Sequence, residues 1–343
     1  MSSPTASATS SGLQPTRRAE LALRVRVLGV SGFMLILAIA FTFLTPRFLT
    51  IDNLLVVAFN AAILAIVATA ISVVLLTRNL DLSVGSVMGL AGYLWADVSS
   101  QLPDAGPLLL LVPLAVGAAC GVINGLLVTY GGLPSIIATL GTLSIFRGVT
   151  FIYAGGQQVT SNVIPEWMLQ AVDARVMGIP ALAIVSVVVV VAVAMFLRQT
   201  PLGRQIYAVG SSAVASFFYG LSVKRVVVAA YVISGVLAGL AGFLLAARGG
   251  TVSVALASGW ELAALSAAVI GGVSVLGGSG SVIGAALGAV VLAMIDNGLV
   301  LMRVQEFWRM FLQGSAIVAA VTADVIIEQR IRRVFKTHGD RVR

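Results

Sequence analysis

Residues 53–76 read NLLVVAFNAAILAIVATAISVVLL, a run without one charged side chain. At ~1.5 Å of rise per residue, a helix of about 20 residues crosses the ~30 Å hydrocarbon core of a bilayer. This stretch is therefore long and apolar enough to span a membrane. Working outward, similar runs fall at 27–45, 82–100, 106–129, 133–154, 177–197, 226–247, 254–276, 279–301 and 309–327. The expected fold is all-α, a polytopic integral membrane protein of about ten transmembrane helices, with those near 82 and 262 broken. Composition agrees, since 59% of the 343 residues are hydrophobic and only 10% are charged, unlike a soluble domain.

Fourteen of the 21 Lys and Arg residues cluster in three places. Arg17, Arg18, Arg24 and Arg26 precede the first run; Arg198, Arg204, Lys224 and Arg225 lie in the polar segment 198–225; six more follow from Arg330. Positive charge is retained in cytoplasmic loops. All three clusters can be cytoplasmic only if even numbers of crossings separate them, and the runs give six and then four. The organisation expected is a disordered basic cytoplasmic tail over 1–26, a transmembrane region over 27–327 and a second basic cytoplasmic tail over 328–343. No small-residue cleavage site follows a short apolar core, so the first run reads as a retained anchor. The net charge of +8 then reflects topology and attraction to anionic membrane lipid. Nucleic acid is not the partner expected, because no basic, aromatic-interleaved surface is present.

Residue arithmetic excludes much chemistry. Cys120 and His338 each stand alone, which rules out an intrachain disulfide and a Cys/His metal cluster. A serine-hydrolase triad would have to use the histidine of the basic tail. The phosphate-binding loop needs Lys directly after Gly, but Lys224 follows Val223 and Lys336 follows Phe335. The chain is expected to be no enzyme, with no metal or cofactor of its own.

Glycines recur every four residues at Gly280, Gly284 and Gly288 and at Gly117, Gly121 and Gly125, with shorter pairs Gly85/Gly89 and Gly235/Gly239. Such faces let helix backbones approach closely in lipid. The run GGSGSVIG at 277–284, which includes Gly277 and Gly278, misses the dinucleotide-binding spacing and reads as a membrane turn.

DLSVGSVMGLAG from Asp81 and ELAALSAAVIGG from Glu261 share an opening acid-Leu pair and a glycine eleven residues on, Gly92 and Gly272, the latter preceded by Gly271. The offset of 180 residues maps the second to fifth runs onto the seventh to tenth. Five crossings per half would invert one half relative to the other, a transporter signature. Asp81 and Glu261 can each cap a helix N-terminus or meet substrate. Asn60, Asn124, Thr139, Thr142, Arg147, Asp296, Asn297 and Gln313 are polar positions within the runs. They can line a translocation path or hydrogen-bond between helices.

LTRNLDLSVGS (76–86), TLGTLSIFRG (139–148), TPLGRQIYAVGSS (200–212) and ELAALSAAVIGGVSVLGGSGSVIG (261–284) together resemble the permease subunits of bacterial ABC sugar importers of the ribose, xylose and rhamnose type. The resemblance covers roughly 50–325, and the LTRN and TLGTL variants look closest to the autoinducer-2 and rhamnose branch. It implies a multi-pass inner-membrane subunit paired with a second permease, identical or related. It further implies a cytoplasmic ATPase subunit that binds the ATP, and a periplasmic or lipid-anchored sugar-binding protein. The transported solute would be a monosaccharide or an autoinducer-2-like small polyol.

By that resemblance the 198–225 loop carries a short ATPase-coupling helix. Ser211 or Ser212 can cap it and Gly220 can end it. Between them run Ala213, Val214, Ala215, Phe217, Phe218 and Tyr219, an aromatic cluster suited to an interface anchor or to lying on the bilayer. The family commonly has Asn near the cap and Ala-Ala-Arg in the helix, where this chain has Ser-Ser and Phe-Phe-Tyr. The loop 155–176, with Pro165, Glu166, Trp167 and Asp173, is a docking surface for the binding protein or an interfacial helix. An ion-coupled secondary transporter is the alternative reading, with Asp296 as its carboxylate; an intramembrane enzyme is a third.

Overall fold

The computed structural model describes residues 15–160 and 165–305, with isolated positions between 307 and 322, and side chains from residue 29 onward. Among the described residues there are twelve α-helices: α1 Pro15–Leu44, α2 Ile51–Leu76, α3 Val84–Gln101, α4 Leu111–Thr129, α5 Ser135–Ala154, α6 Glu166–Asp173, α7 Ala181–Gln199, α8 Pro201–Ser211, α9 Ala213–Phe218, α10 Val223–Gly249, α11 Trp260–Ile270 and α12 Val282–Leu301. A two-stranded antiparallel hairpin, β1 Arg175–Val176 with β2 Ile179–Pro180, follows α6. The stretches α2, Pro103–Thr129, α5, α7, α10 and α12 are long and apolar enough to cross a membrane; Gly29–Leu44 of α1 and all of α11 are apolar but shorter.

The helix at 51–76 is the centre of the molecule. Every residue from Ala61 to Leu76 is buried, as a helix apolar on all sides must be when other helices enclose it. It packs against α7, α10, α11 and α12, while α10 packs against α3 and α4. In the 180-residue register these two sets are reciprocal. Helix α2 sits on α11 and α12, and its counterpart α10 sits on α3 and α4. Trp95 of α3 meets Phe243 of α10 edge to face, with ring centroids 4.8 Å apart.

Glycine decides how close these helices come. A Cβ at Gly117 would strike the carbonyl of Gly235, and one at Gly121 the carbonyl of Tyr231. On the other side, Gly284 abuts the carbonyl of Gly271 and Gly288 that of Ala267. Backbone contact of this kind replaces the hydrophobic effect, which does not drive helix association in lipid.

Three features depart from the sequence expectation, and one agrees with it. Helix α1 begins at Pro15, inside the stretch read as a disordered tail to residue 26. Ala, Leu and Arg over 18–27 are strong helix formers, and a proline suits the first helical position. The break expected near 262 is present: within the run 254–276 only Trp260–Ile270 is helical, and Gly259 before it and Gly272 after it adopt left-handed backbone. The segment 198–225 holds two helices, α8 and α9, where one was expected; Thr200 starts α8 by accepting a hydrogen bond from Gly203 N at 3.0 Å, with Pro201 at its first turn. Near 82, where a break was also expected, α3 itself is uninterrupted from Val84 to Gln101; the non-helical residues 77–83 precede it. Most of the tenth run and the tail 328–343 lie outside the described residues.

Candidate functional site

Helices α8 and α9 form an arm between α7 and α10. Ser212, not Ser211, caps α9: its Oγ accepts from Ala215 N at 3.2 Å, and Ser211 is the last residue of α8. Gly220, at φ +78°, ends it, and Leu221 N donates to Ser216 O at 3.0 Å in a Schellman-type closure. This short helix leaves Ala215 on the surface and holds Phe217, Phe218 and Tyr219 at 69%, 81% and 86% exposure. The two Phe rings stack edge to face, centroids 6.0 Å apart. Burying one aromatic side chain contributes about 1.5–3 kcal/mol, so three uncovered together form a patch that a partner or a lipid surface would cover.

The arm is anchored at its other end. Ile206, Val209 and Gly210 face inward from α8. Gly210 lies directly on the carbonyl of Leu76, the last residue of α2, and a Cβ there would also stand 2.7 Å from Gly278 N. Gly278 N in turn donates to Leu76 O at 3.1 Å, and Tyr207 OH donates to Gly280 O at 3.1 Å. Burial pushes the Tyr207 phenol up from its ordinary value.

Beyond Leu76 the chain enters a buried polar centre. Asp81 is 2% exposed; its Oδ1 accepts from Ser83 N at 3.0 Å and from Ser83 Oγ at 2.6 Å, and Ser234 Oγ donates to Oδ2 at 3.3 Å. Asp81 thus opens α3 through an Asx turn onto Ser83, the residue just before the helix. Asn124 Nδ2 donates to Ser83 Oγ at 2.7 Å, while Asn124 Oδ1 is buried without a partner. Tyr231 OH donates to Leu80 O at 2.9 Å, and Leu80 N donates to Ser135 Oγ at 3.2 Å. Thr139 Oγ1 donates mainly to Ser135 O at 2.8 Å, and Thr142 Oγ1 to Thr139 O at 3.3 Å. Three helices from both halves, α4, α5 and α10, converge on the 77–83 segment.

A second polar group lies between α3, α5 and α11. Glu261 stands in the first turn of α11, where the helix dipole favours a carboxylate. Its Oε2 has no hydrogen-bond partner and presses on Gly85. Arg147 Nη1 donates to Leu256 O at 2.7 Å, beside Gly89. The other predicted polar residues are dispersed. Asn60 accepts from Arg248 Nη1 at 2.9 Å. Asn297 exchanges amide hydrogen bonds with Asn53, 2.9 Å each way, and Asp296 is its half-buried neighbour. Gln313 lies outside the described residues. Gly271, Gly272, Gly277 and Gly278 shape the turn after α11, the last three with φ of 83°, 83° and 70°.

Sequence reasoning missed Ser83, Tyr207, Gly210, Ser234 and Arg248. Tyr207 and Gly210 stood within a quoted motif, and a tyrosine and a glycine on one face of a polar loop helix were the signal available.

The chain matches the family model described as "Branched-chain amino acid transport system / permease component" over residues 53–321. It is 34% identical over 298 residues to the autoinducer 2 import system permease protein LsrC of Escherichia coli (strain K12 / DH10B), covering 85% of each chain. To the LsrC protein of Enterobacter sp. (strain 638) it is 35% identical over 306 residues, 89% of this chain and 88% of that one. The Klebsiella pneumoniae LsrC protein is 34% identical over the same length. No solved structure matches. With apolar helices long enough to cross a bilayer, an uncovered arm between two of them and a family match across 53–321, this chain belongs to the permease-component family of membrane transport systems.

Proposed function

We propose that this chain is the membrane-spanning permease subunit of a binding-protein-dependent ABC importer in the bacterial inner membrane, carrying autoinducer-2 or a similar small hydroxylated solute into the cytoplasm. The observation that carries the reading is the α8–α9 arm. Its tip exposes Phe217, Phe218 and Tyr219 while its base is held on the ends of α2 and the α11–α12 turn. A cytoplasmic ATPase that grips such a tip can move the membrane helices without any nucleotide site in this chain. The solute class follows from the similarity to autoinducer 2 import permeases along 85% or more of the chain.

The reciprocal packing of α2 and α10 supports two related halves, which we take as inverted sets of five helices in a ten-helix permease, and the Lys and Arg clusters support cytoplasmic termini. The opposite surface, with α6 and the β1–β2 hairpin, is where a binding protein would deliver solute. A second permease, identical or related, would cover part of the apolar outer face of α5, where Ile137 and Ile152 are 63% and 84% exposed.

The test is ATP-dependent uptake of autoinducer-2 into proteoliposomes holding this chain with the ATPase and binding protein of its own system. Phe217→Asp is expected to release the ATPase and abolish uptake while the permease stays folded. Uptake that survives without the ATPase, and collapses with an uncoupler, would instead establish an ion-coupled transporter.

A further inference from the structure

We propose that Gly210 and Tyr207 are coupling residues: the end of α8 is a steric pin that carries any displacement of α9 at once to the end of α2 and to the turn joining α11 to α12. The inference rests on the importer reading above. It goes beyond that reading by naming where the arm's motion enters the membrane region.

Three chain segments meet there backbone to backbone. Gly210 touches Leu76 O and stands against Gly278 N; Gly278 lies against Ser211, where a Cβ would sit 2.7 Å from Ser211 Cα; Gly277 lies against Arg78, where a Cβ would sit 2.7 Å from Arg78 Cβ. Gly278 N also bonds Leu76 O. Backbone contacts cannot be relieved by a rotamer change, so they transmit displacement where long side chains would absorb it. Tyr207 adds a directional tie, its hydroxyl on Gly280 O at 3.1 Å. Both turns are held in unusual backbone: Gly277 and Gly278 have φ of 83° and 70°, and Arg78, which is not glycine, has φ of 66°.

What lies beyond the pin explains its value. From Leu76 the chain leads in five residues to the buried Asp81 centre, and from Gly278 it leads back through Gly271 to α11, which bears Glu261. A push on α8 therefore reaches the broken segment of each half together, which a pin on one half could not do. Coupling between sites requires such a shared element with defined contacts to both.

The experiment measures solute imported per ATP hydrolysed by the full complex in proteoliposomes, for wild type, Gly210→Ala and Tyr207→Phe, with ATPase retention and melting temperature recorded alongside. Gly210→Ala is expected to retain the ATPase and hydrolyse ATP while uptake per ATP falls by about tenfold. Tyr207→Phe, which removes only one hydroxyl, is expected to lower the ratio about fivefold to tenfold with the complex still folded and the ATPase retained. Should Gly210→Ala fail to fold, the Tyr207→Phe ratio decides. An unchanged ratio in the folded variants overturns the pin while leaving the importer reading intact; a wild-type complex that neither retains an ATPase nor imports overturns both.

Discussion

Glu261 Oε2 on α11 rests against the bare Cα of Gly85 on α3, so the first turns of α3 and α11 meet side chain to backbone. A Cβ at residue 85 would strike this oxygen and stand 2.9 Å from the carbonyl of Ala257. The carboxylate could swing away; the carbonyl could not. Gly85→Ala is therefore expected to destabilise the chain by about 1–3 kcal/mol, as overpacking does. Adding Glu261→Ala should recover part of that loss and not all. Thermal unfolding of the four forms in detergent, read as a double-mutant cycle, checks this; full recovery would show that the Ala257 carbonyl does not matter.

Asn53 and Asn297 satisfy one another through two amide bonds of 2.9 Å, joining α2 to α12. Truncating either to Ala orphans the other, at about 1–2 kcal/mol. A cycle with the double variant should give a coupling energy near ~0.6–1.7 kcal/mol, the range found for hydrogen bonds between membrane helices. A coupling of zero would mean that the pair forms only in passing.

Two glycines test the packing argument by contrast. Gly117 on α4 faces the Gly235 carbonyl at contact distance, whereas Gly141 on α5 has nothing within 4 Å. Gly117→Ala should force α4 from α10 and lower the melting temperature, by an amount equivalent to about 1–3 kcal/mol. Gly141→Ala should leave the isolated chain unchanged or raise its stability by up to ~1 kcal/mol through helix propensity. Equal effects would remove glycine-mediated approach as the reason for the α4–α10 contact.

The tip helix depends on its two ends. Ser212→Ala removes the bond to Ala215 N and should cost about 1 kcal/mol of local stability; Gly220→Ala places a Cβ at φ +78° and should cost about as much. Amide hydrogen exchange over 213–219 is expected to accelerate in both, with α10 unaffected. Protection that stays at the wild-type level in both would show that α9 is held from outside its own caps.

The parts of this protein legible in its residues are those governed by local rules. Ser212 and Gly220 bracket α9 because capping needs only a side-chain oxygen and a glycine a few positions apart. The glycines at 117, 121 and 125 announced a packing face because their period matches one side of a helix. Glu261 read as a first-turn acid and is one. Its lodging on Gly85 was illegible, as were the bond from Arg248 to Asn60, the exchange between Asn297 and Asn53, and the seat of Gly210 on Leu76. The candidate pathway residues fared likewise, since polarity marks a position as constrained without naming its partner.

The sequence by itself determined that this chain crosses a membrane repeatedly and that its polar mid-chain loop ends in a capped aromatic helix. Those conclusions depend on transfer of side chains into hydrocarbon and on bonds between near neighbours. Only the tertiary structure decided that α2 and α10 trade partners between halves, and that the base of the arm meets the end of α2 and the α11–α12 turn at Gly210. Such contacts are set by backbones approaching across large separations in sequence, where glycine permits closeness but does not specify with what.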